Sequence, residues 1–367
     1  MGAASIATLG TDFYVPAYEI KVGGRPLGRR AIHDIVSVSY SDSLENIDAF
    51  SLVINNWDEE KRTVKYSEGD LFAPGQRVEL KLGYRDRGLV PLLVGEITSL
   101  APAFPAAGPP TLAVSGLSIM HRLRKQPRSA VYEKKKDSAI AKEIAQSIGV
   151  DIETSREAEA SEDAVPFVVQ NNQQDIVFLL QRARRIGYEL TVREDANGNP
   201  KLFFGPQSKG KKVPFKLHWG GSLLTFDPKL TTAQQVGKVT VRAWHPTSKK
   251  LIEETATRSQ LGRKEPFVEA FDQRQEIIAD RPVANAAEAK RLALETLRHI
   301  AHHYVTASGS TVGLPELRTG SLAEVTGLGR KYFDGTYYLT ASTHTIGEGG
   351  YTTGFQARLE TPKPEAA

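Results

Sequence analysis

Cysteine is absent from all 367 residues. Disulfides, thiolate metal sites and thiol catalysis are excluded together, so a chain later exposed outside the cell must be held by packing and assembly. No run of about 18 apolar residues occurs either, and no helix is expected to span a bilayer. The segment Met1 to Tyr14 has no basic residue ahead of its apolar stretch, so no secretory leader is expected and the product should stay where it is made. A strong charge of one sign is also missing. Lysine and arginine number 47 against 43 acidic residues, a formal net charge of +4, too small an excess for a nucleic-acid binder that concentrates base on one face.

Positive charge is nevertheless clustered locally. Arg122, Arg124, Lys125, Arg128 and Lys134, Lys135 and Lys136 lie close together, and Lys209, Lys211, Lys212 and Lys216 form a second group. Solvated faces account for both; contact with a partner ring, or with nucleic acid as passing cargo, is the alternative. The remaining composition, 25% charged and 40% hydrophobic, suits a globular chain of two or three domains at roughly 100–200 residues each.

The periodicity of the first 120 residues is that of strands. Residues 35–40, 50–55 and 77–84 alternate apolar and polar side chains, and 92–98 and 111–116 follow. Pro102, Pro105, Pro109 and Pro110 punctuate the last connection and exclude it from a central strand. Five short strands with turns between them predict a small barrel. Helices are predicted at 139–145, capped by Asp137-Ser138 and ended by Gly149, and at 174–186, ended by Gly187. The second carries the apolar stripe Ile176, Val177, Leu179, Leu180, Ala183. A hairpin of 188–192 and 201–204 around Asn197-Gly198 comes next. From about Leu223 the chain returns to strands, at 239–244, 323–326, 335–340 and 355–359, broken by a helix at about 286–304.

Two of the strand segments echo each other. Gly75-Gln76-Arg77-Val78-Glu79-Leu80 and Gly320-Ser321-Leu322-Ala323-Glu324-Val325 each begin on a glycine turn and carry Glu at the fifth position. Downstream, Val94-Gly95-Glu96-Ile97 is matched to Asp334-Gly335-Thr336-Tyr337. The expected class is α+β and β-rich, with two similar barrels, 1–120 and 223–367, flanking an α/β insert, 121–222.

That order, and the insert in particular, resembles a known family. Residues 167–183, a polar turn, Asp175 and an aromatic-Leu helix, followed by Gly187-Tyr188-Glu189-Leu190, are similar to the signature of phage late control protein D. Residues 333–339, Ser342-Thr343-His344 and 349–355 resemble the closing barrel hairpin of the same family. The family includes baseplate central hubs of contractile phages and the hub portion of the type VI spike protein VgrG. The resemblance implies a homotrimeric ring that presents six similar barrels to a hexameric inner tube above and a threefold face to the spike below. Its partners would be the inner tube protein, a separate spike protein and other baseplate proteins, with no membrane insertion and no cofactor. It implies assembly in the bacterial cytoplasm and residence in a phage tail or extracellular contractile particle. The chain ends at Ala367, soon after the second barrel, so the spike tip is expected on a separate polypeptide.

No motif supplies chemistry. Gly205 to Lys211 follows a phosphate-loop pattern, but Lys212 stands where a magnesium-binding hydroxyl is needed and the next residues read as extended. His299 with His302 or His303 has the spacing of one helical face, without an intervening carboxylate, and reads as a polar helix end rather than a metal site. Asp195 to Asn199 lacks the distal Glu of a calcium loop. Ser115 lacks a nucleophile elbow, and nothing singles out a catalytic carboxylate pair. No enzyme activity is expected. The alternative is a cell-wall-degrading or carbohydrate-binding tail protein, resting on Trp57, Trp219, Trp244, Tyr332-Phe333 and Tyr337-Tyr338; aromatics in strands more often serve cores and interfaces.

Overall fold

The computed structural model describes residues 4–5, 15–194, 199–206, 215–245, 248–262, 265–329 and 332–362. Its N-terminal part contains β1 (Pro16–Val22), β2 (Ile35–Ser43), β3 (Ala49–Asn55), β4 (Arg77–Tyr84), β5 (Gly88–Ala103) and β6 (Thr111–Ser118). The period-two alternation read from the sequence is what the pleat uses: in β3, Phe50, Leu52 and Ile54 point inward while their neighbours are half-buried. These strands pair antiparallel in the order β2–β3–β6–β5–β4–β1. Tyr40, Leu80, Leu82, Leu112 and Val114 fill the space they enclose.

The insert contains β7 (Arg128–Lys135), α1 (Asp137–Ser147), β8 (Val165–Gln173), α2 (Asp175–Ile186), β9 (Tyr188–Glu194) and β10 (Pro200–Pro206). β7 pairs with β8, and β9 with β10 as the expected hairpin; its turn at Asn197-Gly198 lies outside the described residues. Two expectations need correction. Lys136, not Asp137-Ser138, is the N-cap of α1. Asp137 is instead the first helical residue, where its buried carboxylate accepts from Arg182 Nε at 2.6 Å. On α2, Val177 faces solvent while Phe178 turns inward and stacks on Tyr132 at 5.8 Å, because Ile176, Leu179, Ala183 and Ile186 centre the buried stripe one position further round.

Gly187 ends α2 at φ 73°, in the left-handed region where a side chain is strained. A Cβ there would also meet Glu295 Oε2 at 2.5 Å. Gly187→Ala is expected to lower stability by about 1–2 kcal/mol, read as a shift in urea midpoint without a change in slope; an unchanged midpoint would show the cap to be dispensable.

The C-terminal part contains β11 (Phe215–His218), β12 (Leu223–Leu230), β13 (Lys238–Trp244), β14 (Leu251–Thr257), α3 (Ala286–His302), β15 (Val305–Val312), β16 (Leu322–Thr326), β17 (Gly335–Gly347) and β18 (Gly350–Pro362). β12, β15, β18, β17 and β16 pair antiparallel in that order, and β11 adds in parallel to β16. β13 and β14 form a separate small sheet with residues 275–278. α3 covers it, packing Leu292, Ala293 and Leu297 against Val239 and Val241.

β17 also pairs with β2, which joins the N-terminal and C-terminal strands into one fourteen-stranded sheet. The architecture is β-rich, as expected, and its largest sheet is mainly antiparallel. Among the described residues, however, no set of strands closes on itself as a barrel. The insert is tied to the C-terminal part by Tyr338 Oη donating to Glu189 at 2.7 Å and by Arg185 Nη2 donating to Glu288 at 2.6 Å.

Candidate functional site: an assembly joint

The same five-strand order occurs twice. β2–β3–β6–β5–β4 and β12–β15–β18–β17–β16 match strand for strand in both sequence order and direction. Irregularities match too. The β2–β3 register slips between Ile35 and Ser37, and that of β12–β15 between Leu223 and Thr225. β5 bulges at Thr98 and β17 at Thr340. Gly75, at φ 88°, donates its N–H to the Ile97 carbonyl at 2.8 Å; Gly320, at φ 84°, donates to the Leu339 carbonyl at 2.9 Å. Bulges and turns are fixed features of a strand pairing rather than accidents of it, so their coincidence marks two copies of one block.

The echo seen around Gly75 and Gly320 therefore aligns as read, but the downstream match does not. Glu96 sits opposite Arg77 and Tyr338 opposite Leu322, which makes Gly95 equivalent to Tyr337 rather than to Gly335. The pairing there is unbroken, with Leu80 opposite Leu93 and Val325 opposite Gly335, so Gly335 is the counterpart of Leu93.

The blocks meet where Ser43 to Val38 of β2 run antiparallel to Ala341 to Ile346 of β17. This joint is polar and buried. Asp42 accepts from Thr319 Oγ1 at 2.8 Å and from Arg318 Nε at 3.2 Å, and Ser342 Oγ also donates to it. Arg318 further donates to Tyr40 Oη and lies 5.1 Å from the Tyr40 ring centroid. His344 is enclosed by Ser342 Oγ at 3.2 Å, Tyr351 Oη at 3.0 Å and Thr353 Oγ1 at 3.1 Å. Burial lowers its pKa to about 4, so its ring is neutral at neutral pH. Nearby, Asp48 is 7% exposed. Burial, and then the charge of Asp42, raise its pKa to about 7, against the pull of Arg318.

Each block has a further edge. From Thr98 onward β5 pairs only with β6, and from Leu224 onward β12 pairs only with β15, among the described residues. Thr98, Ser99, Ala101 to Phe104, Leu224, Thr225, Asp227 and Lys229 are exposed along these edges.

The residues singled out in the sequence are dispersed. Arg122 pairs with Glu96, Arg128 with Asp175, and Lys135 with Glu143, so three of the seven charges of the first basic cluster are met by local carboxylates. Lys209, Lys211 and Lys212, the phosphate-loop pattern from Gln207 onward and Asp195 to Gly198 lie outside the described residues. His299 and His303 stand ring to ring at 4.9 Å, whereas His302 faces Glu360 at 3.8 Å. No group of three potential metal ligands occurs among the described residues. Tyr337 and Tyr338 are buried core residues, and Trp219 and Trp244 are exposed. No helix among the described residues is long and apolar enough to cross a membrane.

Sequence reasoning missed the Asp42–Arg318–His344 joint. The only available signal was a run of polar residues at inward-facing positions of β2 and β17, where alternation calls for apolar ones.

The fold is shared with solved tail proteins. The 43 kDa tail protein of prophage MuSo2 from Shewanella oneidensis superposes with a TM-score of 0.71 at 17% identity, over 95% of this chain and 99% of that one. The tail protein from Neisseria meningitidis MC58 gives 0.70 at 15% identity, over 95% and 98%. A component of the E. coli type VI secretion system gives 0.60 at 13% identity, over 95% and 78%. No curated protein matches the chain. The model of the Alg8 N-terminal domain matches residues 14–348, which takes in both strand blocks except β18 and everything between them. The chain belongs to the Alg8 N-terminal domain family.

Proposed function

We propose that the chain is a structural baseplate hub of a contractile, phage-tail-like injection system. Three copies form a ring that presents six similar strand blocks to a hexameric inner tube and a threefold face to a separate spike protein. In this reading residues 1–120 and 223–367 are two tube-type modules and 121–222 is the insert between them. Among the described residues neither module closes as a barrel alone; in the ring each completes its sheet at its neighbours' edges. The work is mechanical, passing the thrust of contraction from tube to spike, and needs no catalytic group or cofactor.

The observation that carries the reading is the doubled block, matched down to its bulges and glycine turns. Two equivalent faces per chain are what a threefold object needs in order to mate with a sixfold one. The shared fold with phage tail proteins and a type VI component supports the setting. A carbohydrate-binding role finds less support, since Tyr337 and Tyr338 are consumed by the core.

Native mass spectrometry of the full chain, alone and with its trimeric spike, is expected to give a species of three times the 40.2 kDa chain mass. A chain that stays monomeric at every concentration, spike included, would overturn the proposal.

A further inference from the structure

The chain makes one joint between its two blocks and, among the described residues, leaves both halves of a second, equivalent joint open. The equivalence follows from the matched irregularities. Aligning the β5 bulge at Thr98 with the β17 bulge at Thr340 makes Ser99, Leu100, Ala101, Pro102 and Phe104 the counterparts of Ala341, Ser342, Thr343, His344 and Ile346. Aligning the slips in β2 and β12 makes Val38, Tyr40 and Asp42 the counterparts of Phe226, Pro228 and Leu230. Within the chain, the β17 edge lies on β2. Its counterpart, the outer edge of β5, has no such neighbour among the described residues, and neither does β12.

We infer that the outer edge of β5 in one copy adds antiparallel to β12 of the next copy, with Ser99 opposite Thr231, Leu100 opposite Leu230 and Ala101 opposite Lys229. The partner is thus a second copy of this chain, and the contact is head-to-tail, the kind that propagates around a ring. The inference rests on the hub reading above and names the surface by which such a ring would close.

The chemistry of the two joints differs in a way that suits their tasks. Inside the chain, inward positions carry Tyr40, Asp42, Ser342 and His344, a hydrogen-bonded set that specifies one pairing. The corresponding positions between copies carry Pro228, Leu230, Leu100 and Pro102, an apolar set that gains from leaving water. Ile346, at the tip of the inner joint, is 8% exposed and packs in the core of the N-terminal block. Its counterpart Phe104 is 64% exposed, and in the same geometry would pack beside Phe226 of the next copy. Pro102 and Pro228 fall opposite each other. Neither offers an N–H, so the ladder is interrupted there, a feature that also discourages unrelated strands from adding to either edge.

The cysteine-free chain allows a direct test. Directly opposite residues of antiparallel strands lie about 4.5–5.5 Å apart, within disulfide reach. Full chains carrying Ala101→Cys or Lys229→Cys, mixed and oxidised, are expected to give a covalent dimer that neither gives alone. The double variant is expected to give linked species up to the full oligomer mass. Ala101→Cys paired with Asp227→Cys, two residues out of register, is expected to link about tenfold less. Phe104→Ser, exposed in the single chain, should leave the circular-dichroism melt of the monomer unchanged and weaken association about tenfold or more. An oligomer that forms without the Ala101–Lys229 link and ignores Phe104→Ser would overturn this contact while sparing the ring. Equal linking out of register would overturn the assigned pairing, and a chain that neither links nor associates would overturn both.

Discussion

Replacing Arg318 by Met is expected to lower the unfolding free energy by about 3–5 kcal/mol, the range for removing one partner of a buried charge pair. Asp42 is 6% exposed and has Arg318 as its ion-pair partner. The methionine fills much of the volume but leaves the carboxylate without its cation, and leaves Tyr40 Oη without the guanidinium donor. Lysine should recover only part of the loss, because one ammonium cannot serve Asp42, Tyr40 Oη and the Tyr40 ring together as the planar fork does. Adding Asp42→Asn to Arg318→Met should then cost less than the two changes summed, since they act on one network. Urea unfolding at pH 7.5 reads all three variants; a loss under about 1 kcal/mol for Arg318→Met would mean that the joint is not held by this pair.

The same joint predicts an unusual pH profile. Asp48 has a folded pKa raised to about 7 from 3.8, so its contribution is fully present below pH 3.8 and is lost as pH rises through 7. His344 has a folded pKa lowered to about 4 from 6.5, so its contribution is present above pH 6.5 and is lost as pH falls towards 4. Between those limits the two slopes oppose, each about 1.4 kcal/mol per pH unit, and nearly cancel. Asp48→Asn keeps the neutral hydrogen-bonding shape but removes one slope. The variant is expected to lose about 3 kcal/mol relative to the parent on going from pH 6.5 to pH 4, with little difference near pH 5 to 6 beyond that trend. Parallel stability profiles for variant and parent across this range would refute the assignment.

How far the sequence disclosed this depended on the kind of signal. β4 was legible to the residue, because Arg77 to Tyr84 alternates over its full length and one face is wholly buried. The end of α2 was legible because Gly187 has few alternatives at positive φ. The helix stripe was misjudged at Val177 and Phe178, where two adjacent apolar residues compete and tertiary packing on Tyr132 decides between them. Barrel closure was over-read: strand number and turns are local, but closure depends on which edges meet, and edge pairing leaves no trace in a single strand. The joint itself was hidden for a related reason. Asp42 interrupts the inward face of β2, and Ser342 and His344 that of β17, but nothing in either strand alone links them until residues 300 apart are placed together.

That separation bears on how the protein is made. β2 emerges from the ribosome first, and the strand that covers it, β17, follows only after a further 300 residues. During that interval β2 is an unprotected edge on a nascent chain, and the C-terminal hairpin of any neighbouring nascent chain is an equally good mate for it. Polysomes translating this message thus risk exchanging β17–β18 between siblings, and slow, non-local closure lengthens the exposure. On the contact inferred between β5 and β12, copies that are to join through one seam must first be kept from joining through the other, which would make the order of synthesis part of assembly.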